Sequence, residues 1–346
     1  MSPWPYFGVL GMLPTPVLKP SLMAIQRMIA LTLLSLLAGV AFAAKIKPPG
    51  AVLREATTSI AAVEFAENGP SGRMVFRRIE KLGGDAEMPE LIDLAVPEEL
   101  RRIVLPGERY LIAYTAFRRE AEQIRADRRG AQLLVTPGLE PALLRDSPEN
   151  RAILAWRAGE DAAAVKARLP ELLALLDAQD PQLQNFALSE IVLRPQLTEA
   201  LDTRSRKTLQ RFAARSEANA NARARLLQAA VVLPQHFGTG GWKEIALDVI
   251  ATTPVRVQQI EGSASLVRFA FDLVERDRIK VPPATVSRWL ASDNAALAEK
   301  ALLTLRAQHP AEEMPRLEQA LSLSLLPAGT REFLLDHRRR AALARQ

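Results

Sequence analysis

Apolar positions along the 346-residue chain follow two rhythms. In the first half they come as short runs, residues 58–66, 73–82, 90–96, 108–117 and 131–136, each of a length and alternation suited to a strand. Ile92, Leu94 and Val96 alternate with Leu91, Asp93 and Ala95, giving one face the larger side chains. The run at 108–117 is almost continuously apolar and is expected to be a central strand. Asn68-Gly69, Gly83-Gly84, Pro106-Gly107 and Pro137-Gly138 fall between the runs, where tight turns belong. Ser147-Pro148-Glu149 reads as an N-cap, an N1 proline and a first-turn acid, opening a short helix that reaches Trp156.

From residue 161 the period changes to that of helices. Candidate helices are 169–177, 181–193, 204–215, 218–233, 241–251, 263–275, 284–291, 294–307, 312–323 and 329–344. Pro195, Pro234, Pro254, Pro310 and Pro327 follow helix candidates and are read as terminators. Glycine punctuates the halves unequally, with nine of 17 at 45–160 and five at 161–346, so tight turns concentrate in the first. The expected fold class is α+β in two domains. A small five-strand β barrel or sandwich at 45–160 precedes an all-α superhelix of about five helix pairs at 161–346.

The helical half repeats itself. Leu183, Ala187, Leu188 and Ile191 share one helical face around a small central residue. The same spacing recurs at Leu266, Ala270, Phe271 and Val274, at Leu297, Ala301, Leu302 and Leu305, and more weakly at Arg225, Ala229, Ala230 and Leu233. Offsets of 42, 41 and 31 between first members put the period near 40. One pair cannot bury such a face, so neighbours must stack. With Asp180-Pro181 and Asp293-Asn294 placed as turns inside pairs, residues 162–346 resemble the HEAT-repeat family. The resemblance implies a superhelix in which a basic residue just before the central small residue meets the turn aspartates. Phe186, Gln228, Phe269 and Lys300 occupy that position, so only the last copy fits. The strand and glycine-turn order of the first half, with its PGERY segment, is similar to small secreted five-strand domains of the OB or netrin-like kind.

Composition narrows the chemistry. The chain has no cysteine, which excludes disulfide staples, thiolate metal sites, a Cys nucleophile and a lipid-modified cysteine. Residues 1–43 contain no acid and only Lys19 and Arg27 as bases. Met23 opens a segment with Arg27 as the positive n-region, an apolar stretch at 28–40 and Ala41-Phe42-Ala43 as a small-x-small cleavage signal, the three parts of a secretory signal peptide. The reading is therefore export across the inner membrane to the periplasm, with cleavage after Ala43 or Ala44 and translation starting at Met23. The apolar stretch is short of the roughly 20 residues a spanning helix needs, so no stable transmembrane segment is expected after cleavage. Losing two bases takes the net charge from +6 to +4, too weak to indicate a nucleic-acid partner.

Catalytic or ligand-binding constellations are scarce in this pattern. His236, His309 and His337 lie far apart and form no HExxH pair, and no metal or cofactor is expected. The Gly238–Gly241 cluster lacks the strand and Lys-Ser/Thr of a phosphate loop and reads as an inter-repeat loop. Gly262-Ser263-Ala264-Ser265 lacks the nucleophile-elbow pattern and reads as a helix start with Ser263 as cap. Five arginines within 118–130 and the Arg338-Arg339-Arg340 run read as a solvated excursion and a favourable helix C-terminus. Trp156, Trp242 and Trp289 are expected in cores. The expected function is that of an exported, non-enzymatic scaffold binding a protein partner, with Gln184, Asn185, Arg268 and Glu299 as contacts on the second helices. The alternatives are an envelope hydrolase using His236 and carboxylates at the domain junction, and a β domain that binds while the helices act as a spacer.

Overall fold

A computed structural model describes residues 46–69, 72–84, 88–116, 131–155 and 161–343. The signal-peptide segment, the arginine-rich stretch at 118–130 and Trp156 lie outside these residues. A short helix, α1 (Pro49–Val52), leads into β1 (Thr58–Asn68), β2 (Arg73–Gly83) and β3 (Leu91–Ala95). Helix α2 (Glu98–Arg101) follows, then β4 (Arg109–Ala116), β5 (Ala131–Leu133) and β6 (Leu143–Arg145). The strand order is β1-β2-β3-β5-β4, with β4 pairing back onto β1 to close a barrel. All these pairings are antiparallel except β3 with β5.

Strands β5 and β6 occupy the same edge of β4, pairing with residues 114–116 and 110–112 respectively. They act as one interrupted barrel strand, and the interruption at 134–142 is a loop pinched by reciprocal Thr136–Leu139 hydrogen bonds of 3.1 and 2.8 Å. The sequence pattern ran this strand on to Thr136 and did not show β6, whose three residues are too few to display a period.

Alternation on β1 and β4 explains their nearly unbroken apolar sequence. Ala61, Val63, Tyr110, Ile112 and Tyr114 point into the barrel with Met74, Phe76, Ile92 and Leu94. Ile60, Ala62, Leu111 and Ala113 point out of it and join the core of the helical half, together with Leu134, Leu139 and Ala142 of the loop. Both faces of residues 58–63 on β1 and 110–114 on β4 are thus removed from water, each large side chain contributing about 1.5–3 kcal/mol.

Helix α3 (Pro148–Leu154) closes the barrel segment, and Ser147 caps it by accepting the Asn150 N–H at 3.1 Å. The helical half then runs through α4 (Ala162–Ala167), α5 (Leu169–Ala174), α6 (Pro181–Leu193), α7 (Pro195–Glu199), α8 (Thr203–Ala214), α9 (Ala220–Val232) and α10 (Pro234–Phe237). It finishes with α11 (Trp242–Thr252), α12 (Ser263–Arg276), α13 (Pro283–Ser287), α14 (Ala295–Gln308), α15 (Pro310–Leu321) and α16 (Ala328–Leu343). Helices α6, α9, α12 and α14 pack consecutively as an inner row, and α5, α8, α11 and α13 form an outer row behind them.

The repeated stripe is the contact surface of the inner row. Ala187, Ala270 and Ala301 are fully buried, as are their large neighbours Leu188, Phe271, Leu302 and Leu305. In the weak copy, Arg225 stands where the others have Leu; its guanidinium reaches Ser189 on α6 and Glu140 at 3.5 Å on the barrel loop. Pro195, Pro234 and Pro310 do end helices, but each is also the first residue of the next one, an N1 role that the terminator reading missed. Ser263 is the first residue of α12 rather than its cap. The cap is Gly262 at φ +81°, where a Cβ would meet Asn221 at 2.5 Å. Trp242 and Trp289 are wholly buried, donating to the carbonyls of Phe237 (3.2 Å) and Ile250 (2.8 Å).

Barrel and helices belong to one compact unit from Lys47 onward. Glu190, with no exposed surface, ties them: its carboxylate accepts the Gly50 N–H at 2.5 Å and pairs with Arg194 on the next turn. The loop tip Gly138, at φ +93°, lies so close to α6 that a Cβ would sit 2.7 Å from Ser189 Oγ and 2.9 Å from the Asn185 carbonyl.

Candidate functional site

Two adjoining depressions of about 490 and 420 Å³ mark the surface of α12, α14 and α16. They share Glu299 and Leu303 of α14, which form the ridge between them. Glu299, Leu303 and Arg306 recur at one helical face, the face opposite the buried Ala301 and Leu305, so the phase that packs the inner row also builds the ridge. Leu303 keeps 49% of its surface exposed although it sits beside the fully packed Leu302. Arg268 and Ser265 of α12 line one depression, and Phe333 and His337 of α16 the other.

The charges here fall into two groups. Lys300 is held by Asp272 at 2.6 Å and Glu275 at 3.4 Å. Burial opposes its positive charge, but the two acids outweigh burial and hold the ammonium above the ordinary lysine range. On the other side Arg306 grips Glu313 through Nε and a terminal nitrogen at 2.7–3.2 Å, and His337 Nε2 meets the same carboxylate at 3.0 Å. Burial pushes the Glu313 carboxyl up, yet the hydrogen bonds from Arg306 and His337 prevail and hold it below the usual carboxylate range. Arg268 and Glu299, both exposed, take part in no salt bridge among the described residues. Arg268 instead leans on the Phe269 ring at 6.0 Å.

No family model, curated protein or solved structure matches the chain.

Of the four residues singled out by helical phase, the structure brings Arg268 and Glu299 together at one depression. Gln184 is buried and donates to the Ala178 carbonyl at 2.7 Å, and Asn185 is half-buried beneath the barrel loop. These two therefore face the molecule's own interior. Asn185 matches Arg268 and Glu299 in helical phase, but the barrel loop covers this end of the row, and sequence period alone carries no sign of that cover; Gln184 matches Val267, which is also buried.

His337 lines the second depression and was not revealed by the pattern, because its partner Glu313 lies 24 residues away on another helix. His236 is on α10 and makes no hydrogen bond or ion pair to a carboxylate among the described residues. His309 contacts the Val281 carbonyl through Nε2 at 2.7 Å. Lys300, the residue that fits the basic position of the repeat family, pairs with Asp272 and Glu275 of the preceding inner helix. The turn residue Asp293 is occupied by the Val257 and Gln258 N–H groups at 2.9 and 3.3 Å. No cluster of three or more His, Asp or Glu among the described residues is placed to hold a metal ion, and no helix among them is long and apolar enough to cross a membrane.

Proposed function

We propose that the chain is an exported, periplasmic interaction protein without a reaction of its own, which binds a protein partner across the α12–α14–α16 surface. The observation that carries this reading is the half-exposed Leu303 on a ridge between two depressions, flanked by an unpaired cation and an unpaired anion. An apolar anchor ringed by charges is how protein interfaces are built, with the anchor supplying affinity and the rim charges fixing register. The matching partner segment presents an apolar side chain to the wells beside Leu303, an acid to Arg268 and a base to Glu299. The leader pattern at 23–43 supports export.

The barrel closes in the strand order β1-β2-β3-β5-β4, with β3 parallel to β5. In this chain its β1–β4 wall and the 134–142 loop are committed to the helices, which favours a role as the end piece of the array.

The test is to recover and identify the envelope partner of the wild-type chain, then repeat the capture with Arg268→Glu and Glu299→Lys. Each substitution is expected to weaken capture about tenfold or more without shifting the melting temperature. Unchanged capture by both variants overturns the assignment of this surface. N-terminal sequencing of the exported form is expected to begin at Ala44 or Lys45.

A further inference from the structure

The outer row carries a second charged feature. Helix α8 has four cations, Arg204, Arg206, Lys207 and Arg211, and no acid among its twelve residues. Ser205, Leu209, Phe212 and Ala213 bury its other face, which fixes the helix so that Arg204, Lys207 and Arg211 are all exposed. These three lie at i, i+3 and i+7, a stripe about 10 Å long.

None of the four cations has a salt-bridge partner among the described residues. The acids around the helix are otherwise engaged or apart from it. Asp202 caps α8 by accepting the Ser205 N–H at 2.7 Å, and Asp177 pairs with Arg215 at 3.0 Å. Glu244 and Asp248 on the neighbouring α11 form no salt bridge with α8. Like charges three and four residues apart destabilise an isolated helix by a few tenths of a kcal/mol per pair, so folding alone gives no reason for this arrangement.

From this geometry we infer that the exposed face of α8 docks an acidic helical segment of a protein. Carboxylates at i, i+3 or i+4, and i+7 on such a segment repeat at the spacing of Arg204, Lys207 and Arg211. Other polyanions fit less well. No large apolar side chain is exposed on α8 or α11 to enter a lipid surface, and Phe212 and Trp242 are buried, leaving no ring for a base to stack on. This surface is separate from the α12–α14–α16 ridge and stands or falls independently of it.

The experiment measures binding of the full chain to a fluorescent helical peptide bearing glutamates at i, i+4 and i+7, beside its glutamine counterpart. Vesicles containing phosphatidylglycerol and a single-stranded oligodeoxynucleotide are measured in parallel. The acidic peptide is expected to bind at low salt and to weaken about tenfold or more between 50 and 200 mM salt. The triple variant Arg204→Glu, Lys207→Glu, Arg211→Glu is expected to lose binding at least tenfold, while Arg338→Glu with Arg339→Glu leaves it within about twofold. If the reversed triple variant fails to fold, the triple glutamine variant reads the same loss. The proposal is overturned by no binding of the acidic peptide, by equal loss in the Arg338 and Arg339 variant, or by tighter binding of vesicles or oligonucleotide than of the peptide.

Discussion

At Glu313, burial and hydrogen bonding act in opposite directions on one carboxylate, and the balance has a measurable sign. Its pKa is lowered on folding, so its contribution to stability is complete above the unfolded value, about 4.3, and is lost as pH falls through the folded one. Glu313→Gln removes the charge-assisted bonds to Arg306 and His337 and is expected to cost about 1.5–3 kcal/mol at pH 7. The gap between variant and wild type should close below about pH 4, as followed by urea titration at several pH values. Glu190 sets a larger stake, since it has no exposed surface and pairs with Arg194. Glu190→Ala leaves that guanidinium without its carboxylate and is expected to cost about 3–5 kcal/mol in chemical denaturation.

At the scale of elements, the inner row makes opposite demands on neighbouring positions of one helix. Ala301 is fully buried, so Ala301→Leu should overpack the row and cost about 1–3 kcal/mol. Leu303, two residues on, is half-exposed, and Leu303→Ala should change stability by no more than about 0.5 kcal/mol while weakening partner capture. Thermal melts of the two variants check the contrast. This 3.6-residue phase is the part of the fold most plainly written in the sequence, because burying the Leu-Ala-Leu stripe is what the helices do. Strands β1 to β4 were legible for a similar reason, each having enough residues to show its alternation or its two-sided burial. Helices α7 and α10, with five and four residues, were not, since a proline at N1 looks the same as a proline after a C-terminus. The candidate site was legible at Arg268 and Glu299 and illegible at His337. Helical phase points a side chain outward, but it does not name the distant helix or loop that meets it.

Over the whole molecule, the larger of two cores runs from Ile60 and Leu111 on the barrel to Leu334 on the last helix, beside the barrel's own interior. Barrel and helices are therefore expected to unfold together. The slowest-exchanging amides, measured by hydrogen exchange, should give the same opening free energy for Leu111 as for Leu188. Gly138 tests the seam between them. Gly138→Ala combines a φ of +93° with contacts under 3 Å to α6 and should cost about 1–3 kcal/mol, detected as earlier proteolysis between the halves.

The two-sided burial of β1 and β4 also sets an order of events in time. The barrel strands through Ala116 leave the ribosome before α6 exists, and 77 residues separate Ala116 from Leu193 at the end of that helix. At about 5–20 residues per second, that interval lasts several seconds. Throughout it the outer wall of Ile60, Ala62, Leu111 and Ala113 lacks its partners on α6 and has only the 134–142 loop and α3 to pack against. Until α6 is in place the chain thus presents a partly covered apolar sheet face, and a holding factor that shields that face, during synthesis or before export, would lower its tendency to aggregate.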